Sequence, residues 1–262
     1  MRIMNRIKYF STEYGGYRAL RWAQDHIADR ARLREFSERL EFYRSFIRED
    51  DLCFDVGSNI GDISAVLLRL GARVIAIDPQ PAAMRELRAR LAGNAKLTCV
   101  QAGVAESPGE LELYLHDQVG TTSMVKEWSP GRIVNSITVP VMTLDDLIAR
   151  FGVPRYCKID VEGFELNVLR GLSSQLELLS FEFHIDQKSM TAASRCLNLL
   201  EQHGDIEMNI TSYKRYAFAW SNWVRRNDFE KRFADDFGDD PAFAYGDIFV
   251  RYLTKPRQAW KN

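Results

Sequence analysis

The 262-residue sequence predicts one α/β domain whose sheet is doubly wound and mostly parallel. Three observations predict it. Short apolar runs bounded by Gly and Pro alternate with stretches of helical periodicity, the pattern of βαβ units. No internal repeat, low-complexity tract or linker divides the chain. At 46% apolar residues, a chain of this length can bury a full core.

The elements follow in order. Residues 18–48 read as helix, rich in Arg, Glu, Leu and Ala and free of Gly and Pro. The run 52–56 (LCFDV) is a strand that stops at a glycine-bearing loop, 57–61. Ile63, Val66, Leu67 and Leu70 then recur at helical spacing, and Gly71 closes that helix. Strand 73–77 (RVIAI) ends at Asp78-Pro79. Helix 81–92 and strand 97–101 come next. Residues 110–115 and 137–142 alternate like a small antiparallel extension, and Thr143-Leu-Asp-Asp146 has the form of a capping box. Strand 155–160, a helix through Leu172, strand 177–184, helix 190–203, strand 206–211 and a last strand 246–253 complete the domain.

Composition narrows the function. With 35 Lys+Arg against 36 Asp+Glu, the chain lacks the basic excess of a general nucleic-acid binder. The four cysteines (Cys53, Cys99, Cys157, Cys196) are widely spaced with no CxxC, which predicts free thiols in a reducing compartment. No apolar run reaches membrane-spanning length and no signal-peptide pattern is present, so a cytoplasmic location is expected. Residues 1–34 hold eight Arg/Lys against three Asp/Glu, interleaved with Tyr9, Phe10, Tyr14, Tyr17 and Trp22. Such an arm suits contact with a membrane surface or a partner, though packing on the main domain explains it as well. The oligomeric state is not legible.

In an open α/β sheet, ligands bind beyond the carboxyl ends of the strands. Two features fall there: Asp55-Val-Gly57-Ser-Asn59-Ile-Gly61, and Asp78, 23 positions after Asp55. An acid at the end of the second strand can accept hydrogen bonds from both ribose hydroxyls. A dinucleotide site needs G-x-G-x-x-G so that backbone approaches the pyrophosphate. Here the spacing is G-x-x-x-G, and Asn59 replaces the second glycine. Asp55 would repel a pyrophosphate but suits a methionyl ammonium. Adenosine joined to an amino acid fits better.

Residues 155–172 (RYCKIDVEGFELNVLRGL), with DVGSNIG (55–61), AIDPQP (76–81) and TLDDL (143–147), resemble the FkbM-type S-adenosylmethionine-dependent methyltransferases. The resemblance runs from about Asp51 to Phe183 and resumes at GDIFVRYL (246–253). It implies a Rossmann-like class I methyltransferase sheet of seven strands, the last antiparallel, with helices on both faces. It also implies methyl transfer from S-adenosyl-L-methionine to a hydroxyl oxygen of a sugar, glycan or polyketide-like metabolite, leaving S-adenosyl-L-homocysteine. Carried over by position, Asp55, Gly57, Asn59 and Gly61 form the cofactor loop and Asp78 holds the ribose. Gln101, Ala102 and Gly103 edge the adenine, with Gly103 standing where alanine is expected. Lys158, Asp160 and Glu162 line the reacting end.

An alcohol must lose its proton as it attacks, so a positioned base is expected. Candidates at the ends of the fourth and fifth strands are Asp160, Glu162, Glu182 and His184. Alternation puts Glu182 and His184 on one face and Phe181 and Phe183 on the other, which favours His184 as base over Asp160. Lys158 is the expected partner of Asp160. A divalent metal held by Asp160, Glu162, Glu182 and His184 is weighed and not assigned. Residues 213–244, between the last two strands, are expected to form a helical insertion over the acceptor, with Arg225 and Arg226 toward an anionic group. An amphipathic helix burying Trp220, Trp223, Phe229 and Phe233 accounts for the same residues. The rival functions are a nicotinamide-dependent oxidoreductase and a non-catalytic cofactor- or glycan-binding scaffold.

Overall fold

A computed structural model describes residues 32–116, 122–126, 132–213, 215–237 and 240–253. The basic aromatic arm up to residue 31 lies outside the described residues. Helix α1 (32–44) leads into β1 (Leu52–Val56). Then come α2 (Asp62–Arg69), β2 (Arg73–Ile77), α3 (Pro81–Arg90) and β3 (Leu97–Val100). A side sheet is built from β4 (Gly103–Val104), β5 (Gly109–His116) and β6 (Ile133–Met142). The chain continues through α4 (Leu144–Phe151), β7 (Tyr156–Ile159), α5 (Glu165–Arg170), β8 (Leu179–His184) and α6 (Gln187–Glu201). It ends with β9 (Ile206–Ser212), β10 (Val224–Arg225), α7 (Arg226–Phe237) and β11 (Tyr245–Tyr252).

The main sheet runs β3-β2-β1-β7-β8-β11-β9-β10. It has eight strands among the described residues, not seven. The addition is β10, a two-residue antiparallel pairing on β9 that carries no apolar pattern long enough to register in sequence. Pairing is parallel from β3 to β8, and β11 inserts antiparallel between β8 and β9, as the family resemblance implies. This interior position of β11 places residues 245–247 beside the carboxyl end of β8.

Local sequence explains the punctuation. β1 is buried along its whole length because it lies between β2 and β7 with helices on both faces. Gly61 caps α2 in a left-handed conformation, φ 85°. Thr143 accepts the Asp146 amide while the Asp146 side chain accepts the Thr143 amide, a reciprocal cap that sets the start of α4.

The two faces have separate cores. One is filled from α4, α5, α6 and α7 against Phe54, Ile159, Phe181, Phe183 and Ile248. The other is filled from α1, α2 and α3 against Cys53, Val74, Tyr156 and Phe249. Residues 215–237 contribute to both cores. Tyr216, Phe218 and Trp223 pack with α1 on one face, while Trp220, Phe229 and Phe233 are buried on the other. The four cysteines are free, and three are buried. Among the described residues no helix is long and apolar enough to cross a membrane.

Candidate active site

The carboxyl ends of β1, β2 and β7 open into a cavity. Its lining includes Gly57, Asn59, Asp78, Ala102 and Gly103 on one side and Asp160 and Glu162 on the other. Thr122, Ser123 and Met124 border it from the side sheet.

The loop after β1 is shaped by its own hydrogen bonds. The amides of Gly57 and Ser58 donate to the Ile77 carbonyl (2.9 and 3.0 Å) and that of Gly61 to Ser58 (2.8 Å). The Asn59 amide donates to Asp78 Oδ2 (2.8 Å). Four of the five amides from Gly57 to Gly61 are therefore spent within the protein. Little of this loop's backbone is left to cradle a pyrophosphate, which argues against the dinucleotide alternative. Gly57 is demanded by close approach: a Cβ there would stand 1.7 Å from the Asp160 carbonyl oxygen, and its φ is +82°. The glycine thus brings the cofactor loop against the end of β7.

Asp78 is buried, and burial raises its pKa against the pull of two backbone amides. Its Oδ1 accepts from Gln80 (2.8 Å) and its Oδ2 from Asn59. A carboxylate so held keeps further lone pairs for a diol.

Several predicted residues sit elsewhere. Asp55 does not line the cavity; it is buried beneath the loop, where Ser64 Oγ donates to it at 2.6 Å. Burial drives its pKa up to about 6, Ser64 and Lys158 opposing. Gly61 caps α2 instead of facing the cavity. Gln101 is exposed and off the lining, because β3 ends at Val100 and the next side chain turns to solvent. Ala102 and Gly103 do line it; a Cβ on Gly103 would meet Met124 Cε at 2.1 Å, the tip of a flexible side chain that can move aside.

At the reacting end, Lys158 is buried between two carboxylates, 3.0 Å from Asp160 and 3.1 Å from Asp247. Burial alone would lower the lysine pKa, but Asp160, Asp247 and Tyr43 together hold it well above the ordinary value. Asp247 was missed in the sequence, although it lies in GDIFVRYL. Nothing local says that a residue of the last strand meets one 89 positions earlier.

Like Lys158, neither Glu182 nor His184 lines the cavity; the two share a face of β8, with His184 Nε2 3.4 Å from Glu182 Oε2. That is ion-pair range without hydrogen-bond alignment. Burial raises the Glu182 pKa well above its usual value, reinforced by Asp160, Glu162 and Glu165 and opposed by Lys158. The His184 ring stacks on Tyr245 (centroids 5.6 Å apart), which stacks on Tyr213 (3.9 Å). Asp160, Glu162 and Glu182 bring carboxylate oxygens within 4.8 Å of one another, and His184 is not part of that group.

Among its described residues, the segment 213–244 contributes none to the lining of this cavity. Its helix α7 packs inward through Phe229 and Phe233, and Arg226 is committed to Ser194, Asn198, Glu201 and Glu230. Burying those aromatics on the sheet outweighs exposing them at a rim. Trp223 lies before the helix, not in it.

The chain is similar to several known proteins. A hexuronic acid methyltransferase, AglP of Haloferax volcanii, is 29% identical over 191 residues, 68% of this chain and 77% of that protein. Two solved structures are similar. A precorrin-6y C5,15-methyltransferase from Geobacter metallireducens has TM-score 0.42 and 15% identity, covering 84% of this chain and 87% of that one. An S-adenosylmethionine-dependent O-methyltransferase from Thermotoga maritima has TM-score 0.44 and 12% identity, covering 85% and 66%. The model of the methyltransferase FkbM domain matches residues 55–218. That match spans more than half of the sequence and takes in both the loop after β1 and the acidic loop after β7, so the chain belongs to the FkbM family of S-adenosylmethionine-dependent methyltransferases.

Proposed function

We propose that the protein methylates a hydroxyl group of a sugar, free or within a glycan. The observation that carries this reading is the cluster of acids at the carboxyl ends of β7 and β8: Asp160 and Glu162 line the cofactor cavity, and Glu182 brings a carboxylate oxygen within 4.8 Å of theirs, with His184 next on the same face of β8. Carboxylates and an imidazole are the groups that orient a polyol and accept its proton. The hexuronic acid substrate named for the Haloferax volcanii relative supports the sugar class.

S-adenosylmethionine, when bound, supplies a sulfonium methyl that passes to the acceptor oxygen as the thioether departs. Asp78, Asn59 and Ala102 would hold its adenosine part. The protein's own contribution is alignment and proton removal. His184, stacked on Tyr245 and 3.4 Å from Glu182, takes the hydroxyl proton. The Lys158–Asp160–Asp247 trio holds Asp160 at the cavity edge. The near-neutral charge, with formal net −1, supports a small-molecule or glycan acceptor over nucleic acid. Four free cysteines support a reducing, cytoplasmic setting.

The test is transfer of labelled methyl from S-adenosylmethionine to a panel of uronic acids, neutral hexoses and polyketide alcohols, read by mass spectrometry. Sugar methylation is expected. His184→Ala should keep S-adenosylhomocysteine affinity and lose roughly 10²–10⁴-fold in turnover. Full activity in that variant would move proton acceptance to Asp160 or Glu162. Methylation of the polyketide alcohols alone would overturn the sugar acceptor.

A further inference from the structure

We infer that Ser123 is a positioning residue: its hydroxyl ties the strap 122–126 beside the cofactor cavity to the acidic loop after β7, holding Glu162 in place. This rests on the methyltransferase site proposed above and adds a residue to it.

Glu162 has φ +54° and the following Gly163 +88°, a left-handed pair. A residue with a Cβ rarely adopts that conformation unless its surroundings impose it. Here the loop is gripped from two sides. From below, Glu165 Oε1 accepts the amides of Val161 (3.2 Å) and Gly163 (3.1 Å), the residues on either side of Glu162. From the cavity side, Ser123 Oγ donates to the Glu162 carbonyl at 2.7 Å.

Ser123 is itself anchored and 1% exposed. Its Oγ accepts the Val125 amide (2.9 Å), and its backbone exchanges hydrogen bonds with Tyr114 of β5 (2.9 and 3.3 Å). One residue earlier, Thr122 Oγ1 accepts from Gln80 Nε2 (3.3 Å), just beyond Asp78. The strap therefore joins the side sheet, the loop after β2 and the loop after β7. Thr122, Ser123, Met124, Asp78, Asp160 and Glu162 all line the same cavity. Ligand contacts on the strap are transmitted to Glu162 through one hydroxyl. A serine or threonine can donate to a carbonyl while accepting an amide, and alanine can do neither.

The experiment compares Ser123→Ala and Ser123→Thr in the full chain with S-adenosylhomocysteine bound. Amide hydrogen exchange is followed in the peptide spanning 160–165, and turnover is measured with the sugar acceptor. In Ser123→Ala, exchange should quicken and turnover at saturating cofactor should fall, each on the order of 10-fold for a lost buried hydrogen bond. The acceptor KM should stay within about two-fold, because the loop's alignment is lost and not uniform binding. Ser123→Thr should restore both. If Ser123→Ala does not fold, Ser123→Cys, which weakens the bond at similar volume, takes its place. Unchanged exchange, a threonine variant as impaired as alanine, or turnover recovered by excess cofactor would each overturn the role. A wild type that binds S-adenosylhomocysteine but methylates no sugar removes the acceptor reading alone. Exchange then remains the judge of Ser123.

Discussion

Replacing Lys158 by methionine removes the one cation that two carboxylates share. The lysine side chain is 7% exposed, against 34% for Asp160 and 20% for Asp247. Asp160 can turn toward the cavity and recover water. Asp247, on β11 between β8 and β9, is the less exposed of the two and recovers less. Breaking a buried pair by removing one partner costs about 3–5 kcal/mol, because a charge is left without compensation. In a domain of this size each kcal/mol moves the melting midpoint by roughly 2–4 °C, so a fall of about 6–20 °C is expected. The loss should shrink in mild acid, since burial already raises the Asp247 pKa and protonation removes the orphaned charge. Adding Asp247→Leu to Lys158→Met should recover most of the stability, as an apolar replacement of the whole pair often does. Urea unfolding of the two singles and the double, at neutral and mildly acidic pH, reads all of this. A Lys158→Met loss below about 1 kcal/mol would refute the reasoning, because a surface pair is worth no more.

Two further perturbations follow from the site. Gly57→Ala should cost well over about 1 kcal/mol and abolish S-adenosylhomocysteine binding in a titration, because its Cβ meets the backbone oxygen of Asp160. Gly93→Ala is the control: φ is +80° but nothing lies within 4 Å, so it should lose only about 1 kcal/mol and leave binding intact. Equal losses would show that conformation alone matters. Stability of the ligand-free protein should fall as pH rises, because burial lifts Asp55 to about 6 and Glu165 to about 7. Both folded values lie above the unfolded ones, so the folded state binds more protons in this window. Their contribution is complete below the unfolded values near 4, is lost as pH climbs through about 6 to 7, and changes no further above. Glu165→Gln should flatten part of that decline in melting curves. A wild-type midpoint that rises from mild acid to neutrality would contradict it.

Much of the frame was readable one segment at a time. The runs 52–56 and 73–77 are strands at those bounds, since both are buried on two faces and read as continuous apolar stretches. Thr143 and Asp146 declare a helix start because a reciprocal cap is a contact three residues long. Lys158 and Asp160 pair as expected because alternate residues of a strand share a face. The strap's hold on Glu162 spans 39 positions, beyond any local pattern.

By itself, then, the sequence determined the βαβ frame, the glycine spacing that rejects a pyrophosphate, and the acids at the strand ends, all consequences of periods of 2 and 3.6 and of turn chemistry. Only the tertiary structure decided which of those acids face the cavity. Asp55 turned inward to Ser64, Asp247 arrived beside Lys158 through the interior position of β11, and Trp220, Phe229 and Phe233 went to the core. Each of these outcomes depends on strand order and on what lies opposite in space, and a buried charge or ring takes the partner that the packing supplies.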